Sequence, residues 1–530
     1  MRNLLRLTDF RVPLDYTESS LRSTLEKKFS IPSDELDSFS VFRRSIDARD
    51  KKDVHFVLSV DLKFRHESVM QKKFRFLSPA AFHAPAVIST CTLTCPPLVV
   101  GAGPAGLFAA LTLARAGKSP VLIERGKPVE ERRTDVVAME NKGLLNPESN
   151  VQFGEGGAGA FSDGKLTCGI KSPYLRTVLE TFVLYGAPSD ILIDQKPHIG
   201  TDYLKNVIVS IRNEIIRLGG TVLFGTRLEE LIIRNGAVCG AVVSEKGVCR
   251  EILTDHILLC IGHSARDTVQ RLFSQGIRMI QKPFAMGVRI EHPRVMIDRA
   301  QYGIFAGHPA LGAASYKLVC HTPDKRGVYT FCMCPGGYVI PAASQPSGVV
   351  VNGMSYHARN ADNSNSALLV GVRTEDFGDD HPLAGFVLQR QIEKAAYIAG
   401  GDGYKAPAQR VEDFLLDRES ACFGEVAPSY RPGVVPSDLR SILPDFICRN
   451  LKAGIRSMNA QIPGFAMPDA VLTGPETRSS SPVRICRSRS GDLEDVSGLY
   501  PVGEGAGYAG GIVSSAVDGI TAAVNIMKVN

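Results

Sequence analysis

The sequence lacks several patterns that would assign the chain to a specialised class. Its 12 cysteines include no C-x-x-C pair and no C-x-x-C…H-x-H spacing, which argues against a metal site or a disulfide scaffold. No apolar run reaches the ~18 residues that a membrane-spanning helix needs. The first residues, MRNLLRLTDFRVPLDY, hold no apolar core of signal-peptide length. We therefore expect a cytoplasmic protein without a metal or a membrane span.

The chain also has little excess of charge of either sign. The net charge is +6 over 530 residues, which by itself does not indicate a nucleic-acid partner. Glycine, in contrast, is abundant: the 50 glycines cluster in a few loops, as expected where the backbone approaches a ligand closely. With 44% hydrophobic and 22% charged residues, the composition is that of a globular protein with room for two or three domains.

The strongest motif is PLVVGAGPAGLFAALTLARAGKSPVLIER, which begins at Pro97. A short apolar run leads into a G-x-G-x-x-G turn made by Gly101, Gly103 and Gly106. Pro104 fits the first position of the helix that follows, and a second apolar strand ends at Glu124, eighteen residues after the last glycine. This order predicts a dinucleotide site, with the helix N-terminus holding phosphates and the acid accepting hydrogen bonds from ribose.

The acid at position 124 favours a free ribose 2′-hydroxyl, as in FAD or NAD, although the adjacent Arg125 keeps a 2′-phosphate open. A second glycine-rich turn follows a short strand in GLYPVGEGAGYAGGIVSSAVDGI, near the C-terminus. There Glu504 could accept hydrogen bonds from ribityl hydroxyls, and a helix beginning near Gly511 and Ile512 could direct its positive end at a flavin. The two turns together favour FAD over NAD.

The remaining segments predict a mixed fold. We expect an α/β protein with α+β parts: a Rossmann-like FAD-binding domain built from discontinuous segments, an inserted mostly antiparallel substrate domain, and a small N-terminal α+β domain. The predicted boundaries are 1–80 for the N-terminal domain, 81–96 for a linker, 97–283 and 441–530 for the FAD-binding domain, and 284–440 for the substrate domain. Basic residues between 43 and 52 alternate with aspartates, which fits a solvated hairpin tip better than an RNA surface.

Candidate reactive residues lie in or beside the glycine-rich loops. Lys165, His198 and His263 are candidate proton donors, with surface or core roles as the alternative. Alternation along a strand would place Cys332 and Cys334 on one face, either as a redox pair or as two small hydrophobic residues. Three further residues in ETRSSSPVR could bind an anionic group of the substrate, namely Arg478, Ser480 and Arg484.

Several longer segments resemble one family. The two glycine-rich turns resemble the glutathione-reductase-type FAD fold, and NPESNVQFGEGGAGAFSDGKL, KPHIGTD, IGHSARDT, KPFAMGVRIEHP and FCMCPGGYV resemble a bacterial family of largely uncharacterised FAD-dependent dehydrogenases. The resemblance implies that Leu228 offers its backbone to the adenine, and it places Glu504 where the wider fold has aspartate. The full set of expected FAD contacts is Gly101, Ala102, Gly103, Pro104, Ala105, Gly106, Glu124, Arg125, Leu228, Gly262, Gly503, Glu504, Gly510, Gly511 and Ile512.

These motifs predict an FAD-dependent oxidoreductase that transfers hydride between an unidentified small-molecule substrate and flavin N5. No second Rossmann fingerprint follows residue 130, so NADH or NADPH would act only as a transient reductant. Two other hypotheses remain open. One is a flavin-dependent RNA-modifying or RNA-associated protein that uses the N-terminal domain, although we do not expect a nucleic-acid partner, and the other is a non-catalytic FAD-stabilised scaffold.

Overall fold

The computed structural model describes residues 4–66, 70–71, 77–80, 93–401 and 403–528, so most of the predicted linker lies outside the described residues. The strands are β1 Leu4–Val12, β2 Leu36–Asp47, β3 His55–Phe64, β4 Ser78–Ala80, β5 Leu98–Val100, β6 Val121–Glu124, β7 Thr221–Phe224, β8 Thr226–Arg234, β9 Ala237–Glu245, β10 Val248–Leu253, β11 Ile257–Leu259, β12 Met279–Gln281, β13 Phe284–Pro293, β14 Val319–His321, β15 Gly327–Cys334, β16 Tyr338–Pro341, β17 Val351–Met354, β18 Asn363–Val372, β19 Ala406–Arg410, β20 Val434–Pro436, β21 Val471–Glu476, β22 Val483–Ile485 and β23 Leu499–Pro501. The α-helices are α1 Glu18–Phe29, α2 Pro104–Arg115, α3 Val129–Lys142, α4 Leu175–Leu184, α5 Thr201–Arg217, α6 Arg266–Ser274, α7 Arg294–Tyr302, α8 Ala384–Ala399, α9 Val411–Leu415, α10 Asp445–Gln461 and α11 Ile512–Ile526.

The N-terminal strands form an antiparallel sheet in the order β2-β3-β1-β4, with α1 packed against it. Thr17 begins the helix in a capping box with Ser20, and Leu21 and Leu25 are buried beneath it. This is the small α+β unit that alternation in β3 predicted. Two of the basic residues of the hairpin are paired with aspartates, Arg49 with Asp47 and Arg44 with Asp194.

The central sheet of the Rossmann-like part is parallel, in the order β23-β11-β5-β6-β7. Its short strands are apolar and buried because α2, α5 and α11 cover one face and the β8–β10 meander covers the other. β7 precedes the meander along the chain but joins the parallel sheet, and Gly225 then turns the chain at φ +62° into β8, which pairs with β9, as β9 does with β10.

A second large sheet has the order β14-β15-β18-β13-β21-β19-β20, and its strands are antiparallel apart from the β19–β20 pair. β13 lies at its centre and pairs with both β18 and β21, so the sheet extends to Glu476. That is well beyond residue 440, where composition placed the end of the substrate domain. The boundaries given above for the FAD-binding and substrate domains remain a prediction.

In the described ranges, no helix is both long enough and apolar enough to cross a lipid bilayer.

Candidate cofactor and reaction site

The first glycine-rich turn follows β5 and leads directly into α2. Gly101 has φ +101°, and a Cβ at Gly106 would lie 1.8 Å from the Gly101 carbonyl oxygen, so both positions require glycine. No side chain caps the N-terminus of α2 at Gly103, and Pro104 occupies the first turn. The first backbone N–H groups of α2 therefore have no side-chain cap and are able to bind an anionic group.

Glu124, at the end of β6, ties this turn to the next loop. Its buried carboxylate accepts hydrogen bonds from the backbone N–H groups of Ala102 (2.8 Å), Gly126 (2.9 Å) and Gly154 (2.9 Å). The residue also lines the cavity described below. Glu124, which was predicted to accept hydrogen bonds from ribose, therefore also holds three backbone segments together around the turn.

A second helix N-terminus meets the first one. α11 begins after Gly511, which has φ +86° and no side-chain cap. Asp518, within α11, accepts a 2.7 Å hydrogen bond from the Gly503 amide, which joins the glycine-rich turn to the helix. α11 crosses α2 at Gly519, where a Cβ would lie 2.1 Å from the Ala105 carbonyl oxygen. The small residue lets the two helices pack backbone to backbone.

Both helix N-termini open into a cavity of about 360 Å³. Most of the predicted FAD contacts line it, namely Gly101, Gly103, Pro104, Ala105, Glu124, Arg125, Leu228, Gly262, Glu504, Gly510, Gly511 and Ile512. Ala102, Gly106 and Gly503 lie behind the wall and shape the two turns. Two uncapped helix ends with free N–H donors fit a ligand that carries a pyrophosphate and an electron-rich ring, as FAD does.

The glycine-rich loop that follows α3 forms another wall, and Arg132 organises it from within. The arginine is fully buried, and its guanidinium donates at 2.7–3.2 Å to the backbone carbonyls of Asn150, Val151, Gly154, Glu155 and Gly157. Burial lowers the pKa of Arg132 to about 10. A Cβ at Gly154 would lie 2.5 Å from Arg132 Cδ, which explains a glycine there. Arg132 was not predicted as a site residue, because the polar sequence of α3 is typical of a surface helix.

The candidate proton donors divide between the cavity and its surroundings. Lys165 and His263 line the cavity, and His263 Nδ1 lies 3.6 Å from Glu504 Oε2. His198 lies behind the wall, where its ring stacks on His357 with 5.0 Å between centroids. Burial lowers the pKa of His198, which keeps it neutral. Its position makes it a packing residue beside the Lys165 strand rather than a group that faces the cavity.

Of the cysteine pair, one residue lines the cavity and the other does not. Cys332 lines the wall and Cys334 is fully buried behind it. Simple strand alternation does not explain this arrangement, because β15 changes register between Phe331 and Cys334 and Cys332 has φ +42°. The Cys332 carbonyl accepts two 3.0 Å hydrogen bonds from Arg289, and the Met333 carbonyl accepts one from Lys165.

Glu476 is one of the ionisable residues of the cavity wall that the sequence did not single out, together with Asp163 and Arg227. It lines the cavity, and its Oε2 lies 2.8 Å from Arg289 Nε. Burial raises the pKa of Glu476 to about 7, and the Arg289 charge limits the rise. Glu476 lies in the same GPETRSSS segment as Arg478. The sequence singled out the arginine of this segment as a candidate anion ligand but not the glutamate.

Arg478 lines the cavity but does not offer the free guanidinium that an anion site needs. It forms a two-point ion pair with Glu393, with Nε–Oε1 at 3.0 Å and Nη2–Oε2 at 2.9 Å, and it donates to Ser264 and Ser344. Glu393 also pairs with Arg266 at 2.7 Å. Burial would raise the pKa of Glu393, but the two guanidiniums hold it well below its usual range. Neither Ser480 nor Arg484 lines the cavity.

Comparisons with known proteins agree with a cofactor site of this kind. Residues 94–140 match a family model described as an FAD binding domain, and residues 283–479 match one described as an FAD-dependent protein, C-terminal domain-like. Residues 5–63 match a domain of unknown function. An uncharacterized protein of Clostridium beijerinckii is 46% identical over 529 residues, covering 99% of this chain and 98% of the relative.

Solved structures share only parts of the fold. A geranylgeranyl bacteriochlorophyll reductase-like protein of Thermoplasma acidophilum is 12% identical, with 81% of this chain and 78% of that chain covered and a TM-score of 0.35. The quinol fumarate reductase FrdA of E. coli is also 12% identical, with 82% and 70% covered and a TM-score of 0.36. Scores this low say nothing about the reaction. The near full-length relative and the two FAD models together show that the chain belongs to a family of FAD-dependent proteins.

Proposed function

We propose that the chain is an FAD-dependent oxidoreductase that transfers hydride between a small-molecule substrate and N5 of the flavin. One observation carries the proposal: a single cavity runs from the nucleotide-binding turn at Gly103 to a cluster of ionisable side chains that includes Lys165 and Glu476. Bound FAD supplies hydride chemistry at N5, and the protein supplies binding, orientation and protons.

The chain's own residues divide this work. The uncapped N-terminus of α2 binds the pyrophosphate, and Glu124 accepts hydrogen bonds from the adenosine ribose. The uncapped N-terminus of α11 places positive charge beside the electron-rich edge of the flavin. Leu228, which also lines the cavity, would offer its backbone to the adenine. These contacts fix the cofactor along the cavity and exclude water from its length.

Ionisable side chains of the cavity wall exchange protons with the substrate. A carboxyl group with a pKa of about 7 exists in both protonation states at neutral pH, so Glu476 can hold a proton or release one at Oε1. Burial lowers the pKa of Lys165, but its interactions with the Cys332–Cys334 pair and with the Asp163 carboxylate outweigh burial and raise it, which keeps the ammonium charged. We assign Glu476 as the proton-exchanging group and Lys165 as the cation beside it.

The first test is an absorbance spectrum of the purified protein, followed by anaerobic titration with NADH and NADPH. Flavin bands near ~450 nm that bleach on titration would support a nicotinamide-linked oxidoreductase. Bands that persist would point to reduction by the substrate or by another protein. Absence of flavin bands after FAD is added would overturn the proposal.

A matched variant tests the proton assignment. Glu476→Gln should retain FAD, because the amide keeps the shape of the carboxyl group and can still accept the hydrogen bond from Arg289, but it should flatten the pH dependence of flavin reduction around pH 7. Glu494→Gln is the control, since Glu494 is exposed and pairs only with Arg278 at 3.7 Å. An unchanged pH profile in Glu476→Gln would remove Glu476 from the assignment.

A further inference from the structure

Two thiol groups lie close together at the cavity. Cys332 lines the wall and Cys334 is buried behind it, and the Cys334 thiol donates a 3.3 Å hydrogen bond to the backbone carbonyl of Cys332. Both cysteines are free thiols, as are the other cysteines in the described part of the chain. Two neighbouring thiols, one of them open to a ligand cavity, are the groups that reversible disulfide chemistry uses.

The backbone around the pair is held from two sides. Cys332 has φ +42°, a strained value for a residue with a side chain, and a register shift in β15 accompanies it. Arg289, itself fully buried, holds the Cys332 carbonyl, and Lys165 holds the next carbonyl. A Cβ at Gly337 would lie 3.2 Å from Cys334 Cβ, so Cys334 occupies a space that only a small neighbour leaves open. The positions of the two cysteines in the wall are therefore fixed by their surroundings.

The surroundings of the pair shift the pKa values of the two thiols in opposite directions. The hydrogen bond from Cys334 holds the pKa of the Cys332 thiol well below its ordinary value, and the Lys165 and Arg289 cations act in the same direction. Burial raises the pKa of Cys334, which keeps that group a thiol. Asp163 opposes the thiolate from 3.6 Å beyond Lys165, but Arg359 neutralises its carboxylate.

We propose that Cys332 and Cys334 form a redox-active dithiol, with Cys332 as the attacking group and Cys334 as the resolving group, and that a small-molecule disulfide is its oxidant. The Cys332 thiolate forms a bond to one sulfur of that disulfide, and the other sulfur leaves as a thiolate. Cys334 then gives up its proton and bonds to Cys332, which expels the second thiolate. Two electrons pass from the pair to the small disulfide, and the proton from Cys334 goes to a leaving thiolate.

This proposal goes beyond the proposed flavin chemistry and does not rest on it. The exchange needs only the protein and a disulfide, so it can fail while flavin reduction succeeds, and the reverse is equally possible. The two sets of measurements therefore separate the two proposals.

The experiment uses the full-length protein as purified, reduced and then exposed to bis(2-hydroxyethyl) disulfide before alkylation and digestion with trypsin. Residues 327–359 form one tryptic peptide, and it contains Cys332 and Cys334 but no other cysteine. We expect this peptide to lose two hydrogens and to resist alkylation. If both thiols in the peptide remain free while the exposed Cys249 and Cys422 form adducts, the proposal is overturned.

Variants assign the two roles. Cys334→Ser should trap a hydroxyethyl adduct on Cys332, whereas Cys332→Ser should leave Cys334 unmodified. Cys422→Ser, which removes an exposed cysteine far along the chain, should close the pair as the wild type does. Lys165→Met should slow alkylation of Cys332 at pH 7 by about tenfold, because less of the thiol is ionised. Equal adduct formation at both sulfur atoms would contradict the assigned roles.

Discussion

Gly519 of α11 faces the Ala105 carbonyl oxygen of α2 so closely that a Cβ on the glycine would lie 2.1 Å from that oxygen. Gly519→Ala should therefore push the two helices apart and separate the N-termini that open into the cavity. We expect a loss of about 1–3 kcal/mol in the free energy of unfolding, together with weaker FAD retention. Chemical denaturation and the flavin-to-protein absorbance ratio measure the two effects.

The control for this substitution is Thr521→Ala, in the same helix. The Thr521 side chain is half-buried and bonds only within α11, to the Val517 carbonyl. Thr521→Ala should therefore leave FAD retention unchanged. Equal losses in both variants would mean that the helix, and not its crossing with α2, is what each substitution disturbs.

Arg132 provides a second test, because its neighbour supplies a matched control. Arg132→Met keeps much of the side-chain volume but leaves five backbone carbonyls in the glycine-rich loop without their donor. The expected cost is roughly 3 kcal/mol or more, with loss of bound FAD. Arg133→Met, on the exposed side of α3, should behave as the wild type. FAD retention in Arg132→Met equal to that of Arg133→Met would show that the loop holds its shape without the arginine.

Glu155 should make stability depend on pH near neutrality. Burial raises its pKa to about 7 from the ordinary 4.5, although Arg212 Nη1 lies 2.8 Å from its carboxylate. Between these two values the folded chain binds the proton more tightly than the unfolded chain does. The free energy of unfolding therefore falls as the pH rises from about 4.5 to about 7, by at most about 3 kcal/mol, and this contribution is constant above that window.

Denaturation of the wild type and Glu155→Gln at several pH values isolates this effect. The amide can still accept the hydrogen bond from the Val129 amide but carries no charge. The difference between the two proteins should grow in favour of the variant as the pH rises through the window. A difference that stays constant from pH 5 to pH 8 would exclude the assignment.

Arg478 should behave as a structural residue rather than as a substrate ligand. Arg478→Met removes one of the two cations that neutralise Glu393, at a cost of roughly 3 kcal/mol in stability. Arg484→Met should cost less than about 1 kcal/mol, since Arg484 contacts the Tyr508 ring at 5.3 Å and lies outside the cavity wall. Unchanged stability in Arg478→Met, with weaker binding of anionic substrates, would restore the anion-site hypothesis.

The features that could be predicted from the sequence are those whose partners lie close together along it. The G-x-G-x-x-G turn, its helix and Glu124 lie within thirty residues, so spacing alone identifies them, and the family relationship is confirmed. The pairing of Arg478 with Glu393 joins residues 85 positions apart, and no local pattern indicates it. The same is true of Arg132, whose five acceptors are carbonyl groups that every residue type carries. The left-handed backbone at Cys332 also has no sequence signal, because cysteine does not favour it.

The central parallel sheet is assembled from strands at both ends of the described chain. β5 and β6 precede the large antiparallel sheet along the chain, while β23 and the helix that follows it come afterwards. During synthesis, a chain that has emerged only as far as β21 holds the first helix N-terminus without the second. The cavity is completed only when α11 packs against α2, so we expect cofactor loading to follow translation of α11.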